Sequence, residues 1–310
     1  MGTTYSVKVT DSTRTVTRGG QKNLRKDIAD LLVELNRQLS VFRPDSEISV
    51  FNASREPGWF AVSRGTARVV GHSLWMCRHS GGAFDVTIAP LIELWGFGKN
   101  RTRPEEVTAA QVRQALRLTG CGQLEVRLDP PALRKKDGGV TCNLSAIAKG
   151  YGVDRIAEYL VGAGFTDFLV EIGGEIRARG RNRSGRYWRI GILAPADITD
   201  IYRTVILQDT AIATSGDYRN YFEREGVRYS HTLDPRTGRP IGHSLASVSV
   251  IHDSCMNADA FATAINVLGP EEGMALAKKN QLAVLMILRT PEGFADSTTP
   301  WFDAIIGNHD

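Results

Sequence analysis

The stretch with the clearest chemical potential runs from Cys255 to Leu268, where Asp259 and Thr263 interrupt a run of Met256, Phe261, Ile265, Val267, Leu268 and several alanines. A helix this apolar belongs in a protein interior. The spacing of four puts a carboxylate and a hydroxyl on one face about a turn apart, and Asn266 continues the stripe. Oxygen atoms so placed suit Mg²⁺ or Ca²⁺. The same pair also fits a second reading, in which Asp259 caps the helix start and Thr263 bonds back to a carbonyl.

Three further segments carry usable groups. Asn143-Leu144-Ser145-Ala146-Ile147-Ala148-Lys149-Gly150-Tyr151 sets amide and hydroxyl caps before a helix with a lysine in its first turn, a terminus that offers N–H groups to phosphate or is simply a capped surface helix. Gly81-Gly82-Ala83-Phe84-Asp85-Val86-Thr87 combines glycines for close approach, an aromatic ring and an acid, or else turns into a buried strand with Phe84 as core. Ser230 to Gly238 sets His231 and Asp234 before a Pro-Gly type turn, where His231 reads as catalytic, ligand-contacting or structural. Gly173-Gly174-Glu175 lacks the GxGxxG spacing, and no GxxxxGK[ST] occurs, so the standard dinucleotide and NTP motifs are absent.

Periodicity predicts the elements that must position these groups. Helices are expected over about Leu24 to Leu39, Arg64 to Ser80, Ala109 to Thr119, Ile147 to Gly162, Cys255 to Leu268 and Glu271 to Lys279. Strands are expected at Thr4 to Thr10, Phe168 to Ile172, Tyr187 to Leu193, Thr204 to Leu207, Ala246 to Ile251 and Ala283 to Leu288. Gly98 to Glu106, Asp129 to Gly139 and Gly180 to Arg186 read as surface connections. The pattern is mixed α and β, without an internal repeat or a flexible interdomain linker.

At 310 residues the chain can bury a large core, and 42% hydrophobic with 23% charged residues is the balance of a globular protein. A net charge of +4 without a basic run argues against nucleic acid and for mild attraction to phosphate. No stretch reaches the roughly 20 apolar residues of a membrane span, and no signal peptide stands at the front. Cys77, Cys121, Cys142 and Cys255 offer no zinc spacing. A Cys121 to Cys142 disulfide is one option and buried free thiols are the expected state.

In order, these segments resemble the ApbE flavin transferases over nearly the whole chain. The matching stretches are MGTTYSV from Met1, LSVFRPDSEISVFN from Leu39, GGAFDVTIAPLIELWGFG from Gly81 and LSAIAKGYGVDR from Leu144. VEIGGEIRARG from Val170, ATSGDYRNYF from Ala213, SHTLDPRTGRPI from Ser230 and NADAFATA from Asn257 complete the set. Two positions depart from the pattern: Asn143 stands where the family usually has aspartate, and Phe42 where tyrosine is frequent.

The resemblance implies one α+β, T-fold-like domain over residues 1–310, with FAD in a cleft between two lobes. It implies Mg²⁺ on Asp259, Thr263 and the carbonyl of Ala148, and flavin, ribose or adenine contacts at Met1, Phe42, Ala83, Phe84, Asp85, Ser145, Tyr151 and Leu233. The implied activity is Mg²⁺-dependent transfer of FMN from FAD to a Thr or Ser hydroxyl of another protein, releasing AMP, with His231 and Asp259 catalytic. Its alternatives are a FAD pyrophosphatase, in which water replaces the hydroxyl, and a non-catalytic FAD carrier. Implied partners are subunits of Rnf-type or sodium-translocating NADH:quinone reductase complexes. The family motif normally follows an export or lipoprotein segment, so the expected place is the periplasmic side of the bacterial inner membrane, with a cytoplasmic member as the alternative.

Overall fold

The computed structural model describes residues 2–10, 18–56, 58–98, 106–197, 199–216, 221–224 and 227–307. Its centre is a seven-stranded antiparallel sheet, in the order Tyr5–Val9, Phe168–Ile172, Glu175–Arg179, Ala211–Gly216, Leu245–His252, Ala283–Thr290 and Gly293–Thr298. Side chains alternate between its faces. Val170, Ile172, Val248, Val250, Val284 and Met286 point to the helical side, whereas Leu169, Ala178, Ile212, Ile251, Leu285 and Ile287 point to the other. Phe168–Ile172, Leu245–His252 and most of Ala283–Thr290 are covered on both faces, which is why these strands read as nearly continuous apolar runs.

The described residues hold helices α1 (Arg18–Leu39), α2 (Glu47–Ala53), α3 (Arg64–His79), α4 (Ala89–Leu94), α5 (Ala109–Leu116), α6 (Ala148–Gly162), α7 (Cys255–Lys279) and α8 (Pro300–Gly307). The far face of the sheet packs on the hairpin Trp188–Leu193/Ile201–Leu207 and on Phe302 of α8. A second sheet, Phe60–Ala61, Pro131–Lys135 and Leu124–Leu128, lies against α3.

The expected helices are present, with ends set by local chemistry. Ser63 caps α3 by accepting from Thr66 N, and Thr108 with Gln111 forms a complete capping box on α5. The two helices expected at Cys255 and Glu271 run on as one element, broken at Gly269 (φ 79°, ψ −172°) before Pro270. Glycine supplies the left-handed φ there, and proline restarts the helix where its missing N–H costs nothing. Pro131–Lys135 corrects the expected loop over Asp129 to Gly139, because its register with Leu124–Leu128 comes from pairing across a turn. Gly98 to Glu106 lies largely outside the described residues, as does Met1.

Helices α6 and α7 touch through Gly150. A Cβ there would stand 2.4 Å from the Cys255 carbonyl oxygen and 2.8 Å from Asp259 Cβ. Gly150→Ala is therefore expected to pry the helices apart and lower stability by about 1–3 kcal/mol, read as a shift in the urea midpoint. An unchanged midpoint would show that the contact yields freely.

Candidate active site

The first turn of α7 is anchored from α6. Asp154 accepts from Cys255 N (3.0 Å), Met256 N (3.0 Å) and Ser254 Oγ (2.7 Å), and Arg177 completes its partners at 2.6 Å. Helix α7 begins at Cys255 behind an N-cap Ser254, so Asp259 stands a full turn inside it. The capping reading of Asp259 is thereby removed. Asp259 is buried, and its Oδ2 accepts from Gly150 N at 2.9 Å.

Lysine 149, in the first turn of α6, is no solvated surface residue: it pairs with the buried carboxylate of Glu175. Glu175 follows the turn Gly173-Gly174, whose φ values of 62° and 105° only glycine adopts freely. Burial pushes the Glu175 carboxyl from its ordinary 4.5 up to about 8, with the Asp259 charge adding to the effect and Lys149 opposing it. Burial also raises Asp259, against the pull of Lys149 and Gly150 N. Burial works against the charge on Lys149 as well, yet Asp259 and Glu175 together hold its pKa above the ordinary value. One ammonium thus faces two buried acids, and Glu175 Oε2 has no hydrogen-bond partner.

A carboxyl that keeps its proton in the fold and releases it on unfolding stabilises the protein fully below its unfolded pKa and loses that contribution as pH rises through the folded one. Metal-free protein should therefore lose stability as pH rises from about 4.5 to about 8. Glu175→Gln should flatten the decline in urea midpoints over that window; an equally steep decline would assign it to other groups.

These groups open into one cavity of about 540 Å³, within the range of small-molecule sites. Asp259 and Thr263 of α7 line it, as do Ala83, Phe84, Asp85, Ser145, His231 and Leu233. Asn143, Lys149, Glu175 and Thr232 also reach it. Residues 84–87 form a bend and a turn rather than the strand considered as an alternative, while Phe84 is buried in the core as that alternative has it. Asp85 Oδ1 accepts from both N and Oγ1 of Thr87 at 2.7 Å. Burial raises the Asp85 carboxyl pKa, with the Thr87 and Gly120 bonds offsetting part of the shift.

The His231 ring meets the Phe97 ring edge-on at 6.4 Å, and Leu233 packs with Leu91, Trp95 and Val112. Behind the cavity, Asn266 Nδ2 donates to Ser215 Oγ (3.2 Å) and Thr232 Oγ1 (3.5 Å), so the continuation of the stripe holds the wall.

Other expected site residues fall elsewhere. Phe42, 67% exposed, lines a neighbouring pocket of about 280 Å³ that shares Ile92 and Asn143 with the main cavity. Tyr151 is buried in the core beneath Arg68 and is absent from the cavity lining. Ala148 is the first residue of α6, next to the lining residue Lys149. The expected caps of α6 do not form: Ile147 holds the cap position without a side-chain bond, and Asn143 Oδ1 accepts from Ser145 N at 3.0 Å instead. Gly150 N donates to Asp259 and Ala148 N to the Leu144 carbonyl, so two of the N–H groups at this terminus already have partners.

The cysteines pair as Cys77 with Cys121, not Cys121 with Cys142, while Cys142 and Cys255 are the buried free thiols. The acid–lysine pair escaped the sequence reading because Lys149 and Glu175 are 26 positions apart. Its only local signal was a glycine pair before a lone acid.

The donor set fits a hard divalent cation. A carboxylate and a hydroxyl on adjacent turns of α7 line the cavity, with the Lys149 and Glu175 pair beside them.

The sequence model of the ApbE family matches residues 1–286. A FAD:protein FMN transferase of Vibrio cholerae serotype O1 is 45% identical over 304 residues, covering 97% of this chain and 89% of that protein. A protein of the same name from Haemophilus influenzae is 36% identical over 307 residues, covering 97% and 88%. The solved flavin transferase ApbE from Vibrio cholerae superposes with a TM-score of 0.89 at 43% identity, covering 98% of this chain and 96% of that one. The apo flavinyl transferase ApbE of Pseudomonas stutzeri gives 0.89 at 40% identity, covering 99% and 94%. The family model spans most of the chain and these relatives match it nearly end to end, so the chain belongs to the ApbE family.

Proposed function

We propose that the cavity binds FAD and that this flavin transferase moves FMN, in a Mg²⁺-dependent reaction, from FAD to a Thr or Ser hydroxyl of a target flavoprotein, releasing AMP. The observation that carries this reading is the opening of Asp259, Thr263, His231 and the Ala83 to Asp85 wall into one cavity. The names of the relatives from Vibrio cholerae and Haemophilus influenzae support the flavin donor and the protein acceptor.

In the reaction the acceptor oxygen bonds to the FMN-side phosphorus, the bond from that phosphorus to the AMP-side oxygen breaks, and AMP leaves with the electron pair. Asp259 and Thr263, with the carbonyl of Ala148, would hold Mg²⁺, which would supply positive charge to offset that of the diphosphate. A ring nitrogen of His231 accepts the acceptor's proton. Lys149, fixed by Glu175, keeps a positive charge beside Asp259. Catalysis here is positioning and electrostatics, with no covalent intermediate on the enzyme.

Subunits of Rnf-type or sodium-translocating NADH:quinone reductase complexes are the proposed acceptors. The proposed place is the periplasmic side of the inner membrane, a reading supported by the Cys77–Cys121 disulfide, since such bonds persist in oxidising compartments. No described helix is long and apolar enough to cross a membrane.

The test is incubation with FAD and Mg²⁺, with and without an acceptor domain, measuring AMP, free FMN and acceptor mass. Acceptor-dependent AMP release with an FMN-sized mass gain supports the transferase. Equal FMN and AMP without acceptor would make the protein a FAD pyrophosphatase, and FAD left intact would make it a carrier.

A further inference from the structure

The disulfide brackets one wall of the cavity. Cys77 lies in the last turns of α3, and Cys121 opens the short 3₁₀ turn Cys121–Gln123, 44 positions away. On the first side, the Cys77 carbonyl accepts from Gly82 N (2.8 Å) and Ser80 Oγ (3.3 Å), and Ser80 Oγ accepts from Phe84 N (3.0 Å). On the second side, Gly120 N, next to Cys121, donates to Thr87 Oγ1 (2.7 Å), which donates to Asp85 Oδ1 (2.7 Å). Each hydrogen-bonded chain starts at a half-cystine or its neighbour. One ends on the backbone of Phe84 and the other on the carboxylate of Asp85, and both residues line the cavity.

Between them Gly81 and Gly82 stand at φ 62° and 86°, so this segment has backbone freedom that a cross-link at its flanks restrains. Redox chemistry among the cysteines is confined to this pair. Cys142 and Cys255 are fully buried, and burial pushes the Cys142 thiol up to about 12, which suppresses its thiolate. Cys121 is half-buried and hence the more accessible sulfur of the bond.

We propose that the Cys77–Cys121 disulfide is a positioning element for the Ala83 to Asp85 wall, so that its reduction by a dithiol reversibly weakens FAD binding. The inference rests on the reading of the cavity as a FAD site. A thiolate of the dithiol attacks Cys121 Sγ, the S–S bond breaks and Cys77 leaves as thiolate. The second thiol of the reductant then closes its own disulfide and frees Cys121. Two electrons and two protons pass from reductant to protein.

The experiment compares three forms of the full chain: oxidised, reduced with dithiothreitol (thiols counted by alkylation and mass), and Cys77→Ser/Cys121→Ser. FAD binding is read by flavin fluorescence in EDTA, AMP release with Mg²⁺ and acceptor, and packing by near-UV circular dichroism. Reduction is expected to raise Kd for FAD about tenfold, equivalent to about 1.4 kcal/mol, to leave kcat at saturating FAD within about twofold, and to reverse on reoxidation. The double variant should show the reduced value in either buffer.

An unchanged Kd with both thiols alkylated overturns the proposal. So does loss of FAD together with the near-UV signal, because the bond then serves global stability. The reduced wild type carries the test if the variant fails to fold. Absence of FAD binding in every form would instead refute the FAD reading itself, and the inference with it.

Discussion

Asp259→Asn is expected to abolish FMN transfer together with its Mg²⁺ dependence, a loss of about 10³-fold or more in kcat, or about 4 kcal/mol of transition-state stabilisation. Asparagine keeps the shape and can still accept from Gly150 N through its carbonyl oxygen, so the α6–α7 contact survives. The negative charge that makes this face of α7 a cation ligand is lost. Removing it also leaves Lys149 and Glu175 as a balanced pair, so the metal-free variant should be at least as stable as the wild type. Calorimetry should show no Mg²⁺ binding, and urea unfolding an intact fold. Retention of Mg²⁺-dependent transfer near the wild-type rate would remove Asp259 from the metal site.

The second large effect is expected at His231. His231→Ala should slow transfer by about 10² to 10⁴-fold, the range of a lost general base, while leaving FAD affinity nearly intact. The ring lies at the cavity wall against Phe97, whereas the Ala83 to Asp85 segment forms a separate part of the lining. The rate of the variant should also lose the limb of the pH profile that reports the base. An unchanged transfer rate sinks the role. A matched loss in FAD affinity would make His231 a binding residue instead.

Much of the scaffold was readable locally. The ends of α3 and α5 follow from Ser63 and Thr108, whose side chains cap within three residues. The strand Phe168–Ile172 matches its expected limits because its own apolar run marks it. The short helices α2 and α4 lacked a sustained period. Pro131–Lys135 hid in a charged segment, where Lys135 reaches the carbonyls of Asn52 and Val140. That cation reads as surface until the partners are known.

By itself the sequence determined the Asp259 and Thr263 spacing, the burial of their helix and the family resemblance, because helical period and motif order are written in neighbouring residues. Only the tertiary structure decided that Lys149 faces two buried acids, that Cys121 joins Cys77, and that Phe42 and Tyr151 stand outside the main cavity lining. The physical reason is range. Capping and amphipathicity act over a few residues, whereas ion pairing, burial and cross-linking join groups 26 or 44 positions apart only once the sheet and helices have packed.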